Sequence, residues 1–283
     1  MDKANWRAAQ YMVISAVAFT MMNATVKYLD RFGAWELLFF RAGGTYMLCM
    51  GYLLLYKINI WGHQRKLLIA RGLVGTIAMG LFFLAIKELP FGAVMTLRYL
   101  SPFFAAIMAV VFLKERLRWI QCLCFILAFS GALLLRGFNT QVEGIGLVYI
   151  LIAAFLSGGV YVIIRKIGPK EHPVVIINYF MFLATCLSGL LAIQFWIMPE
   201  KWEWWLLASL GLSGFIAQLY MTKALQIGLT TKVVPFKYLE VVFAVVIGAT
   251  FFREVYSFLS LVGILLIILG VLLNFWIVEN KSS

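Results

Sequence analysis

The stretch Leu97–Leu117, LRYLSPFFAAIMAVVFLKERL, is long and apolar enough to enter a bilayer, carries a guanidinium near its start, and occurs twice. Shifted by 139 positions with no gap, it lies over Phe236–Tyr256, FKYLEVVFAVVIGATFFREVY. Arg98 falls on Lys237, Tyr99 on Tyr238, Phe104 on Phe243, Phe112 on Phe251, Lys114 on Arg253 and Glu115 on Glu254. The register extends outward, with Gly75 on Gly214 and Gly131 on Gly270. Apolar residues coincide readily by chance, so the charged, tyrosine and glycine matches carry the argument. They describe an internal duplication of about half the chain, with units at 1–138 and 139–283.

What surrounds the repeat excludes a water-soluble fold. A chain of 283 residues that is 64% hydrophobic and 13% charged cannot hide that much apolar surface in one aqueous core. Its mean hydropathy of +0.96 places it in a lipid bilayer. The net charge of +12 does not indicate nucleic acid, because the basic residues are scattered between apolar runs and form no continuous stripe. Cys49, Cys122, Cys124 and Cys186 all lie inside apolar segments, so they read as packing residues and not as disulfides or a metal site.

Taking about 20 apolar residues per crossing, ten spans are expected, near 9–29, 35–56, 67–86, 91–113, 118–136, 143–164, 174–197, 204–224, 230–252 and 257–278. The first follows a short basic start with no cleavage site, and reads as a retained helix instead of a signal peptide. The longest connection, Lys57–Lys66, has no room for a catalytic or nucleotide-binding module, so neither cofactor nor metal is expected.

With the N-terminus inside, 15 basic residues flank the inner side, Arg71 among them, and six the outer. That asymmetry predicts a multi-pass protein of the cytoplasmic (inner) membrane with both termini cytoplasmic. Each unit holds five spans, an odd number, so the second enters the membrane upside down relative to the first. The expected fold is all-α, ten transmembrane helices as two five-helix inverted repeats. Such repeats are a common build of secondary transporters.

The two units each end in an apolar run, a basic residue and Glu (Leu113-Lys114-Glu115 and Phe252-Arg253-Glu254), followed by a glycine-bearing fifth span. In this the chain resembles the EamA-type branch of the drug/metabolite transporter superfamily over nearly its whole length. Lys27, Arg41 and Arg165 also stand where that family often carries basic residues. The family's frequent Trp-Gly pair in the first span is replaced here by Phe19-Thr20. The resemblance implies proton- or exchange-driven movement of a small metabolite, without choosing which one.

The ionisable residues at depth bear most directly on the solute. Arg98 lies some seven residues into span four, about 10 Å at 1.5 Å per residue, and Lys237 lies equally deep in span nine. A cation at a helix centre costs on the order of 2.5 to 3.5 kcal/mol, so each needs a partner or water. Glu240, three residues beyond Lys237, shares its helical face, whereas the first unit has Ser101 at that position. Arg41, Arg98 and Lys237 against Glu240 leave a positive excess that an anionic or zwitterionic solute would complete. Tyr99 and Tyr238 adjoin the two basic residues, and Asn23, Ser157, Gln218 and Tyr220 are polar positions within spans, so these are candidate lining residues or interhelical contacts.

Glu240 is the candidate coupling acid should protons drive transport. Glu115 and Glu254, beside Lys114, Arg116 and Arg253, read as interfacial ion pairs and candidate gates. The expected partners are a small solute, the lipid bilayer and, for coupling, protons; a homodimer is compatible with the sequence. A membrane-embedded enzyme acting on lipid-linked substrates is the alternative from another class. Against it, His63 and His172 lie in connections, and no nucleophile arrangement or metalloprotease motif is present. A channel or assembly subunit is the third.

Overall fold

The computed structural model describes residues 3–89, 94, 97–136, 144–251, 253 and 258–279. Among the described residues every regular element is helical, and ten helices have 13 residues or more. They are α1 (Lys3–Tyr28), α2 (Ala34–Leu55), α3 (Arg65–Glu88), α4 (Ser101–Leu113), α5 (Trp119–Arg136), α6 (Ile145–Ile167), α7 (Pro173–Ala192), α8 (Glu203–Ile227), α9 (Leu239–Phe251) and α10 (Phe258–Glu279). A helix satisfies its own N–H and C=O groups, which is the condition for a single apolar segment to cross hydrocarbon. Six of these helices, and the segment Thr230–Phe251 that ends in α9, are long and apolar enough to do so, and Ser101–Leu113, Trp119–Leu134 and Leu261–Asn274 are shorter apolar stretches. The outward faces are apolar as well: Leu55, Phe112, Phe251 and Phe258 are all exposed, as residues facing lipid would be.

Spans four and nine depart from the expected continuous helices of 91–113 and 230–252. Tyr99 and Leu100 form a turn, and α4 begins only at Ser101. In the second half Thr230–Val233 makes one helical turn and Val234–Tyr238 a 3-10 segment before α9 starts at Leu239. The reason is local. Pro102 stands in the first turn of α4 and Pro235 in the first turn of the 3-10 segment, where a missing N–H breaks no hydrogen bond. These prolines mark starts, not bends inside longer helices. Arg98 therefore sits just ahead of a turn and Lys237 within a 3-10 segment.

The helices pack in a pattern that places the two halves against each other. The main contacts join α5 with α10, α2 with α7, α1 with α8, α3 with α6, α2 with α8, α3 with α7, α4 with α6, and α1 with α9. Glycine lets several of these approach at backbone distance. A Cβ on Gly211 would stand 2.7 Å from the Gly44 Cα, so no side chain fits where α2 meets α8. Gly131 faces the Gly263 carbonyl and Ile267, while Gly270 faces the Cys124 carbonyl and Ala128. Those two sets of contacts interchange on a step of 139 positions. Side-chain oxygens also fasten crossings, Ser15 of α1 to the Ala217 carbonyl of α8 at 2.8 Å and, beside the Gly44–Gly211 approach, Thr45 to the Gly211 carbonyl at 2.9 Å.

Candidate functional site

Between these helices lies a cavity of about 710 Å³, counting the part that opens outward, with Arg41, Arg71, Arg98 and Lys237 on its walls. Aromatic and sulfur-bearing side chains fill much of the rest: Phe19, Met79, Phe82, Phe83, Tyr161, Phe180 and Met221. Ser157 and Gln218 are its neutral polar members.

Each cation is held by an aromatic ring or a neutral group more than by acid. The Arg98 guanidinium lies 4.5 Å from the Phe82 ring centroid, and Arg71 lies 4.2 Å from that of Phe180. Arg41 approaches the Phe19 ring at 5.9 Å and donates to the Met79 sulfur at 3.8 Å. Such ring faces attract cations by their quadrupoles without cancelling the charge. Lys237 is the exception: its ammonium forms an ion pair with Glu240 and also lies 3.9 Å from the Phe19 centroid. Four cations against that one carboxylate leave a formal excess of three positive charges.

Phe19 and Thr20 are positioned to act on the Lys237–Glu240 pair. Phe19 lies beneath the Lys237 ammonium, and the Thr20 hydroxyl bridges the Ala16 carbonyl at 2.8 Å and the Glu240 carbonyl at 3.3 Å. The residues that replace the Trp-Gly pair of the first span thus border the cavity's only ion pair among the described residues.

The structure brings Arg41, Arg98, Lys237, Gln218 and Ser157 into one cavity, but not every residue singled out from sequence. Tyr99 and Tyr238 pack on each other, with ring centroids 6.0 Å apart, and neither is among the lining residues. Asn23 is also absent from the lining, and Tyr220 lies against Tyr11 at 5.5 Å. Arg71, counted above among the inner flanking bases, is corrected to a buried position inside α3, 1% exposed. The signal for it was present: positions 71, 75, 79 and 82 fall on one helical face.

Glu115 departs from the expected pairing with its sequence neighbours. Its carboxylate accepts hydrogen bonds from the N–H groups of Thr230 and Thr231, both at 3.0 Å, and from the Thr231 hydroxyl at 3.0 Å. Arg165 completes the cluster at 3.7 Å, and itself donates to the Gln226 carbonyl at 2.9 Å. The physical reason is the free N–H groups at the start of a helical turn, which need an acceptor and bind a carboxylate more firmly than a solvated Lys114 or Arg116 side chain does. One side chain thus ties the ends of α4, α6 and α8 together. Glu254, its counterpart in the second half, lies outside the described residues.

Comparison with known proteins places the chain in a family. The model of the EamA-like transporter family matches residues 6–137 and again 144–276. The chain belongs to the EamA-like transporter family. It is 28% identical over 264 residues to the pseudopaline exporter CntI of Pseudomonas aeruginosa, covering 91% of this chain and 92% of that one. It is 25% identical to the S-adenosylmethionine uptake transporter of Rickettsia prowazekii, over 96% and 93% of the two chains. Solute carrier family 35 member G1 of Homo sapiens is 26% identical over 96% of this chain and 80% of its own. A protein known from a crystal structure, 16% identical, superposes with a TM-score of 0.85 over 98% of this chain and 99% of that one, which shows the fold. This EamA-like protein is a multi-pass membrane transporter of small metabolites, and not an enzyme.

Proposed function

We propose that the chain is a secondary active transporter that moves an anionic or zwitterionic metabolite across the cytoplasmic membrane by alternating access. The observation that carries this reading is the cavity, with four cations on its walls and one carboxylate beside them. Buried charge of one sign is costly, and a solute carrying a carboxylate or phosphate relieves it when bound. Arg98 and Lys237 are the principal binding cations in this reading, with Arg41 beside them and Gln218 on the wall next to Arg71. Glu240, paired with Lys237, is the acid that exchanges a proton when transport is proton-driven. Glu115 is a gate residue, since opening this end requires its bonds to Thr230 and Thr231 to break.

Alternating access follows from two inverted five-helix repeats, 1–138 and 139–283. The double match of the family model supports that division, because its boundaries fall within a few residues of it. Helix packing supports the symmetry. If each helix is exchanged with the one five places away, α1 on α8 becomes α6 on α3, α2 on α8 becomes α7 on α3, and α4 on α6 becomes α9 on α1, all of which are main contacts. A second packing with the roles of the halves reversed would then have comparable energy and would expose the cavity to the other side.

Counterflow tests the function. Proteoliposomes are loaded with unlabelled amino acids, di- and tricarboxylates and sugar phosphates, and each labelled compound is then offered outside in tracer amount. The reading expects saturable, transient accumulation of at least one anionic or zwitterionic label. Linear, non-saturating flux would point to a channel instead.

A further inference from the structure

Resting on the reading of this cavity as the transport site, we infer that Arg71 and Gln218 form a second anion subsite, and that the solute is elongated, with an anionic group at each end. Arg71 is the observation that calls for it. The residue is 1% exposed, and its Nε and Nη1 atoms have no hydrogen-bond partner. Nη2 reaches only the neutral Gln218 Oε1, at 3.4 Å, and the guanidinium lies over the Phe180 ring. No carboxylate contacts it among the described residues. A buried guanidinium without a counter-charge opposes folding, so packing does not account for its presence. Packing at the equivalent place is met by an apolar residue: 139 positions on stands Leu210, fully buried. Gly75, one turn further along α3, leaves the space that the Arg71 guanidinium occupies, since a Cβ there would collide with Nη1.

Two of the other cations reach the same helix further along it. Arg71, Gly75, Ala78, Met79, Phe82 and Phe83 all line the cavity, so α3 forms one wall of it. Arg41 meets that wall at Met79 and Arg98 meets it at Phe82. At 1.5 Å per residue these points are about 6 and 10 Å along the axis from Gly75, beside which the Arg71 guanidinium lies. Between the Arg71 guanidinium and those two cations the face of α3 is apolar, with Ala78 lining the cavity. Cation, apolar wall, cation is a template for a solute with anionic ends and an apolar middle. A compact single anion would satisfy one end and leave the other charged.

Thermal stability of the detergent-purified protein with succinate, adipate, suberate and octanoate as probes tests this. The inference expects adipate or suberate to act at concentrations roughly tenfold or more below succinate and octanoate, since each charge-assisted contact is worth about that factor or more. Arg71→Gln should abolish the advantage, and Arg71→Lys should retain part of it. Without ligand, Arg71→Gln should unfold no earlier than the parent; if it does not fold, Arg71→Leu, carrying the side chain found at position 210, replaces it. Octanoate acting as well as the diacids, no effect of any diacid, or an undiminished advantage in the variant would each overturn the elongated-solute subsite. Counterflow of another anion alongside such a failure leaves the transporter reading standing; absence of counterflow for every anionic compound overturns that reading instead.

Discussion

The phenol of Tyr238 donates a hydrogen bond to the backbone carbonyl of Tyr99 at 2.9 Å. The two residues are 139 positions apart, so each is the other's counterpart in the duplication. Counterparts that touch lie where the halves meet, and the bond fastens the segment around Lys237 to the one around Arg98. Both tyrosines are buried. Tyr238→Phe keeps the ring contact and loses the hydroxyl, and is expected to cost about 1 kcal/mol of stability. Thermal unfolding of the purified variant measures it; a variant as stable as the parent would show that the bond contributes nothing.

Arg98 and Lys237 should respond differently to substitution despite their equivalence. Arg98 rests on the Phe82 ring, so removing it leaves no stranded acid. Arg98→Ala should weaken binding of the transported solute by roughly ten- to hundredfold, and Arg98→Lys by less, because a planar two-point donor becomes a single ammonium. Lys237→Ala strands Glu240 and should lower stability as well as binding. Titrations of folded variants separate the two; Arg98→Ala binding as tightly as the parent would remove Arg98 from the site.

Glu240 is expected to carry coupling more than recognition. Glu240→Gln should abolish accumulation driven by a proton gradient in proteoliposomes while solute exchange continues, since exchange needs no net proton movement. Unchanged gradient-driven accumulation would restrict Glu240 to a structural partnership with Lys237.

Orientation is open to direct labelling. His63, whose side chain is 79% exposed, lies at the same end as Glu171 and the Ile167 carbonyl, while Lys201 lies exposed at the other end, near Arg31 and Glu203. With both termini cytoplasmic, a cysteine replacing His63 should react with an impermeant thiol reagent only after permeabilisation, and one replacing Lys201 should react in intact cells. The reverse pattern would invert the topology.

Much of this arrangement was legible in the sequence, for physical reasons that differ by residue. The 139-position register aligned Arg98 with Lys237 because charge inside an apolar run stands out. The Lys237–Glu240 pair followed from helical spacing, and it forms even though Lys237 lies in a 3-10 segment. Arg71 was misread because hydropathy sees only that a basic residue stands near the start of an apolar run, and cannot tell an interfacial guanidinium from a buried one. The partners of Glu115 were hidden for a related reason: its carboxylate binds backbone N–H groups more than 110 positions away, and backbone groups leave no trace in residue identity. Pro102 and Pro235 stand at the breaks ahead of α4 and α9, but whether a proline starts a helix or bends one depends on which N–H its neighbours need, which residue identity does not give.

The central claim is that the cationic cavity binds an anionic group of the transported solute, and a stability screen tests it most directly. Purified protein is heated with each member of a metabolite library spanning anions, zwitterions, neutral compounds and cations, since a ligand that binds only the folded state raises stability by RT ln(1 + [L]/Kd). The account predicts that the strongest stabilisers carry a carboxylate or phosphate, and that Arg98→Ala reduces their effect. Stabilisation led by cations without any anionic group, and undiminished in Arg98→Ala, would contradict it.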